Sequence, residues 1–298
     1  MTTDRVAEAT TVAQLLDDLA RALTTRGIAE PMSEAREIIA ALYDVPRFWP
    51  VTNGGAEVDS RTVERAKLAA QKRAQGAPLA YAVGRAAFRH LTLDVDERVL
   101  IPRPETEQLV DLVLSEMSNT LGGVAIDVCT GSGAIAIALA AEGRFSRVYG
   151  TDISRDAVEV ARVNVTLTAK LLRAPVEILQ GCLLGPLLDV RARVVVANPP
   201  YIALSEAASL PASVRDWEPA VALYSGSDGM TATAQLVREA ADVLAPGGLF
   251  AMEVDSRRAS LAADLVLRER RFRSVRIELD LTGRERFVLA RRQEKDPG

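Results

Sequence analysis

The chain has 298 residues, 48% of them hydrophobic and 26% charged, and a net charge of −4. That length suggests about two domains with sizeable cores, and the negative balance argues against broad nucleic-acid binding, which leans on a positive footprint. No apolar run approaches the roughly 20 residues of a membrane span, and the N-terminus lacks the basic-then-apolar pattern of a leader.

Helical spacing comes first. Val12, Leu15, Leu16, Leu19 and Leu23 predict a helix from Val12 to Arg26, with Gly27 as its stop. A second helix is expected from Ser33, a cap candidate, carrying Ala35, Ile38, Ile39 and Leu42 on one face. Pro46 and Pro50 bound a short connection containing Phe48 and Trp49. A charged third helix is expected over Ser60 to Gln75. These elements predict a small all-helical domain over 1–77 with no catalytic pattern of its own, so either packing or partner docking fits it.

From Leu79 to Leu100 the pattern turns to alternation, with Leu91, Leu93 and Val95 on one face, which predicts a connecting β-hairpin within a linker spanning 78–104. A rigid loop, Ile101-Pro102-Arg103-Pro104-Glu105-Thr106-Glu107, then leads into a helix from Glu105 to Met117, with proline in the first turn.

Over 105–298 strand and helix signals alternate. Strands are expected at Val124–Cys129, Val148–Thr151, Val176–Leu179, Val194–Ala197 and Leu249–Val254, with helices at Gly133–Ala141, Asp156–Thr168, Met230–Leu244 and Arg257–Arg271. Two late β segments, Val275–Leu279 and Arg286–Ala290, are expected to pair antiparallel at one end. Such alternation predicts an α/β doubly wound, mostly parallel sheet.

Two stretches carry chemistry. After the first strand of the alternating part comes Cys129-Thr130-Gly131-Ser132-Gly133, where glycines let the backbone turn tightly and approach a ligand. Asp152 ends the next strand, where a carboxylate can hold ribose hydroxyls. Together they point to a nucleoside cofactor, either a nicotinamide dinucleotide or S-adenosylmethionine. The second stretch is Asn198-Pro199-Pro200-Tyr201, held by its prolines at the end of the apolar Val194–Ala197 run. Hydride transfer has no use for it, whereas methyl transfer to a planar amino nitrogen does. The Asn198 side-chain oxygen and the Pro199 carbonyl can each accept an N–H of that group, holding it in place and stabilising developing positive charge, while the Tyr201 ring packs on its flat face.

These residues resemble the class I S-adenosylmethionine-dependent amino methyltransferases. More narrowly the chain is similar to the protein-(glutamine-N5) methyltransferases of peptide chain release factors, the HemK/PrmC family. Pro78-Leu79-Ala80-Tyr81, Gly84-Arg85, Phe88, the Ile101–Glu107 loop and Trp217-Glu218-Pro219 extend the likeness over essentially the whole chain. The resemblance implies a Rossmann-like class I methyltransferase sheet and methyl transfer to the glutamine of a Gly-Gly-Gln loop. It assigns Asn198, Pro199 and Tyr201 to catalysis and, with Pro200, to substrate binding. It assigns Cys129, Thr130, Gly131, Ser132, Gly133, Asp152, Leu183, Asn198 and Phe88 to S-adenosylmethionine or the product S-adenosylhomocysteine, and the N-terminal helices to the release factor. Three departures stand out. Cys129 replaces a usual glycine, Gly181-Cys182-Leu183 lacks an acidic residue facing the adenine, and Glu253-Val254-Asp255 replaces Glu-Ile-Gly.

The expectation is a cytoplasmic monomer without a metal, since a single histidine (His90) and two cysteines (Cys129, Cys182) offer neither a disulfide framework nor a His-rich metal site. Release factors are the expected partners, with no membrane and no stable nucleic-acid binding. Rival readings are an adenine-N6 methyltransferase of nucleic acid, a glutamine methyltransferase of another translation protein, a cofactor-binding scaffold and, more remotely, a dehydrogenase.

Overall fold

The computed structural model describes residues 10–294, which divide into two compact units, one of residues 10–85 with 212–217 and one of the remainder. The first unit begins with α1 (Val12–Thr24), whose N-cap Thr11 and Gln14 form a capping box. Next come α2 (Pro31–Tyr43), the short α3 (Trp49–Thr52), α4 (Ser60–Ala74, capped by Asp59) and α5 (Leu79–Val83). Two expectations are corrected here. Ser33 lies inside α2 rather than capping it, because Pro31 has the fixed φ suited to a first helical position. Leu79–Val83, the start of the stretch expected to alternate, is helix instead: Ala82 and Val83 bury in the helical core with Leu15, Leu19, Ile38 and Ala66, which favours one more turn over an extended segment.

A two-stranded hairpin follows, β1 (Arg85–Phe88) and β2 (Leu91–Asp94), with the exposed His90 in its turn. The second unit continues with α6 (Pro104–Glu116), β3 (Val124–Val128), α7 (Ala134–Glu142), β4 (Arg147–Asp152), α8 (Arg155–Leu167), β5 (Val176–Gln180) and β6 (Ala192–Ala197). Between β6 and the next long helix lie α9 (Ala212–Arg215, within the first unit) and α10 (Ala220–Leu223), which the sequence pattern did not suggest. The chain then forms α11 (Thr231–Val243), β7 (Leu244–Glu253), α12 (Ala259–Arg268), β8 (Phe272–Leu279) and β9 (Glu285–Arg292). Strand β7 starts five residues before the expected Leu249. Helix α12 is shorter than expected at both ends, since Ser256–Arg258 forms a 3-10 turn and Phe272 has already joined the sheet.

The sheet order is β5-β4-β3-β6-β7-β9-β8, parallel from β5 through β7 and antiparallel at β9 and β8. This is the Rossmann-like doubly wound sheet. Alternate residues of each strand face opposite sides. Ala125, Val194, Val196, Leu249 and Ala251 bury against α6 and α7, whereas Ile126, Val195, Phe250 and Met252 bury against α11 and α12. Both faces are covered, which explains the near-continuous apolar runs in β6 and β7. No described helix is long and apolar enough to cross a membrane.

Candidate active site

Strand register builds the site. Val128 of β3 pairs with Ala197 of β6 and with Thr151 of β4, and Ala197 pairs with Met252 of β7. One residue further on, Glu253, Asn198, Cys129 and Asp152 therefore stand in a row along the carboxyl edge, about 4.8 Å from strand to strand. This is the edge at which open parallel sheets hold ligands.

A cavity of about 310 Å³ opens there, lined among others by Cys129, Gly131, Asp152, Ile153, Leu183, Asn198 and Pro200. Six of the residues singled out from the sequence are thus brought together. Thr130 and Ser132 are buried beneath the loop and hold it instead of facing the cavity. Phe88 is fully buried in the core with Leu91 and Leu93 and does not line the cavity, so its ring serves packing. Pro199 and Tyr201 likewise lie outside the lining.

The glycine loop is tied down from below. Asp127, buried at the end of β3, accepts the Thr130 hydroxyl at 2.6 Å and the Ala136 N–H at 3.0 Å. Burial still pushes its carboxyl up to about 7, against those two bonds. Buried Asn164 of α8 donates to the Ser132 carbonyl at 2.9 Å and exchanges bonds with the Asp94 backbone, pinning loop and hairpin to one helix. Gly133 sits at φ +85°, and a Cβ there would come within 3.3 Å of Ala161 and Ile137, so only glycine fits. Cys129 adopts φ +60° with its side chain in place, and burial pushes its thiol well up.

The lining fits a nucleoside cofactor. A Cβ added at Gly131 would meet no atom within 4 Å, so the backbone there is open to close approach by a ligand. The Asp152 oxygens accept the Gly131 and Ser154 N–H groups at 2.9 Å each. Each oxygen keeps a further lone pair with which to accept a ribose hydroxyl. Ile153, 56% exposed, gives the cavity an apolar wall for a flat base. Among the described residues no group of three His, Cys, Asp or Glu is placed to hold a metal ion.

Asn198 is oriented by a relay absent from the sequence reading. Its Nδ2 donates to Thr106 Oγ1 at 3.1 Å, and the Thr106 hydroxyl donates to Glu253 Oε2 at 2.7 Å. Thr106 stands in the first turn of α6, and Glu253 ends β7; both are buried. When Glu253 is ionised it only accepts, so the threonine hydrogen then points at Glu253 and its lone pair faces Asn198. The amide nitrogen is thereby committed, and Oδ1 is left for a ligand. Burial pushes Glu253 up to about 7, with the Thr106 bond opposing. Nearby Arg103 pairs with buried Glu218, so the Ile101–Glu107 loop is anchored by charge as well as by proline. Tyr201 sits in the same surroundings, its hydroxyl pushed up by burial and then by the charge of Glu253.

Sequence reasoning missed Thr106 and Glu253 in the relay and, among others in the lining, Arg98–Leu100, Tyr224–Gly226 and Gln235. Glu253 carried a legible signal, a lone carboxylate at the end of an apolar strand. Gln235 carried none.

Comparison with known proteins places this geometry in a family. The PrmC N-terminal domain model matches residues 14–84, and the methyltransferase small domain model matches residues 106–211. A release factor glutamine methyltransferase of Moorella thermoacetica is 37% identical over 285 residues, spanning 96% of this chain and 100% of its own. The chain belongs to the release factor glutamine methyltransferase family. The family member of Deinococcus radiodurans is also 37% identical, over 94% of this chain and 99% of its own. Among solved structures, a methyltransferase from Pyrococcus furiosus shares the fold, with a TM-score of 0.51 and 17% identity over 70% of this chain and 91% of that one. A member of this family is an enzyme, an S-adenosylmethionine-dependent methyltransferase, and the cavity at the carboxyl edge is its candidate active site.

Proposed function

We propose that the protein methylates the side-chain amide nitrogen (N5) of the glutamine in the Gly-Gly-Gln loop of a peptide chain release factor. The observation that carries this reading is the fixed amide of Asn198, its nitrogen committed to Thr106 and its oxygen free beside the glycine-loop cavity. When bound, S-adenosylmethionine supplies an electrophilic methyl group on a sulfonium. Cys129, Gly131, Asp152 and Leu183 would hold it.

The acceptor amide is a poor nucleophile because its lone pair is delocalised, so the task for the protein is positioning and charge stabilisation. Asn198 Oδ1 accepts one N–H of the substrate amide and the Pro199 carbonyl accepts the other, which fixes the nitrogen in the plane the two acceptors define. Both are partial negative charges aimed at a nitrogen that becomes more positive as it reacts. The Tyr201 ring packs beside the amide, its phenol kept neutral. No strong base is needed, since the proton lost from nitrogen becomes acidic only once the new bond has formed. The helical unit of residues 10–85 is proposed as the surface that holds the release factor.

The test incubates the protein with labelled S-adenosylmethionine and either a release factor or the same factor with its loop glutamine changed. Label is expected on the first only. Equal labelling of both, or labelling of DNA instead, overturns the reading.

A further inference from the structure

The row of residues along the sheet edge orders any nucleoside bound there. With the reacting end beside Asn198 of β6 and the ribose at Asp152 of β4, the base lies further along, toward the end of β5. Three strand spacings separate β6 from β5, about 14 Å, which suits an extended nucleoside with an amino-acid arm. At the end of β5 the residue beside the cavity is Cys182, an exposed thiol and only a weak acceptor. A base amino group therefore has no strong side-chain partner on that strand.

Gln235 of α11 lines the same cavity, and its amide is oriented. Its Nε2 donates to Glu239 Oε1 at 2.7 Å and approaches Cys182 Sγ at 3.9 Å. Glu239 is fixed in turn, because its other oxygen accepts the Leu184 N–H at 2.9 Å. A carboxylate accepts and never donates, so the nitrogen end of the Gln235 amide must face Glu239. Both of its hydrogens are thereby directed, and Oε1 is the one polar atom of the amide without a partner among the described residues.

We propose that Gln235 Oε1 is the acceptor that reads the 6-amino group of the adenine, making Gln235 the residue that selects an adenine base over a 6-oxopurine. The proposal rests on the cofactor reading given above. An adenine offers a donor at position 6 and meets Oε1 donor to acceptor. A hypoxanthine offers an oxygen there and meets it acceptor to acceptor, with Glu239 preventing the amide from turning to accommodate it. Ile153 and Leu183 supply the apolar lining and carry no preference between the two bases.

Isothermal titration of the full chain with S-adenosylhomocysteine and with S-inosylhomocysteine tests this without turnover. The wild type is expected to prefer the adenosyl compound by roughly tenfold or more, a matched bond set against a mismatched one. Gln235→Leu is expected to bring the preference below about threefold, mainly by weakening the adenosyl compound. Glu239→Gln, which keeps Gln235 but frees its amide to turn, is expected to give an intermediate preference and serves if Gln235→Leu unfolds. A wild-type preference that survives both substitutions in folded protein overturns the assignment of Gln235. Failure of the wild type to bind either compound overturns the cofactor reading, and the assignment with it.

Discussion

Replacing Thr106 by valine isolates the relay, since the two side chains have nearly the same shape and only the hydroxyl is lost. In the native protein the Asn198 amide is held one way round by its 3.1 Å bond to Thr106, itself directed by the 2.7 Å bond to Glu253. With valine, the productive orientation leaves the half-buried Nδ2 without its partner, at a cost of up to about 1–3 kcal/mol. The turned amide avoids that cost by facing its nitrogen to the cavity, where it repels the substrate N–H. If the productive orientation is disfavoured by that amount, the rate of methyl transfer falls by roughly 5- to 150-fold. The measurement is single-turnover transfer to a release factor at saturating S-adenosylmethionine, beside the Kd for S-adenosylhomocysteine by titration. Thr106→Ser keeps the hydroxyl and is expected to stay within about threefold of wild type. A folded Thr106→Val with a wild-type rate would refute the relay. A loss of cofactor affinity as its main effect would show that Thr106 acts on the loop and not on Asn198.

Asn198→Ala removes the acceptor itself and is expected to lower single-turnover transfer by about 10²- to 10³-fold, with the Kd for S-adenosylhomocysteine nearly unchanged; weakened binding as the dominant effect would contradict its role. Glu253 carries a pH signature. Its carboxyl is raised from 4.5 to about 7, so the folded protein binds more protons than the unfolded chain between those values. Stability contributed by this group therefore falls as pH rises from about 4.5 to 7, by about 3 kcal/mol in all. Glu253→Gln should flatten that part of the curve in urea titrations at several pH values; an unchanged slope would assign it to the other carboxyls raised by burial, Asp127, Asp152 and Glu218. Gly133→Ala forces a side chain into a left-handed turn already closed by Ala161 and Ile137, and is expected to lose about 1–3 kcal/mol of stability, read as a lowered midpoint in urea.

Most of the sheet was legible because each strand buries both faces or alternates, and breakers mark the ends. The apolar Val194–Ala197 run and the Gly-rich turn after β3 announced both their elements and their place on the carboxyl edge. The failures have local causes. The alternating stretch expected from Leu79 to Leu100 forms its hairpin only from Arg85, because Ala82 and Val83 complete the helical core, a tertiary preference that no five-residue pattern encodes. Phe88 has an aromatic ring of the right kind for a ligand, but that ring is buried in the core that also holds Leu91 and Leu93. The short helices between residues 204 and 223 carry few buried side chains, so no apolar period marked them.

The site divides along the same line. Asn198, Asp152 and Gly131 could be singled out because residue type and place at a strand end are written in the sequence, and the structure brings all three to one cavity. What orients them could not be singled out, because orientation is made by residues distant in sequence. Thr106 is 92 residues from Asn198 and 147 from Glu253, and the three meet only because β7 pairs with β6 in a register that sets Glu253 beside Asn198. The prolines of the Asn198–Tyr201 segment explain why its backbone is rigid, but a rigid backbone leaves an amide free to turn end for end. That freedom is removed by a buried carboxylate whose ordinary use would be a salt bridge and which here faces a threonine. The cost of burying it shows in its raised pKa, and a structural role alone would have been met more cheaply by an apolar residue at the end of β7. The strain of keeping Glu253 there is thus an argument that the direction of the Thr106 hydroxyl, and through it the face that Asn198 presents, is what the position is for.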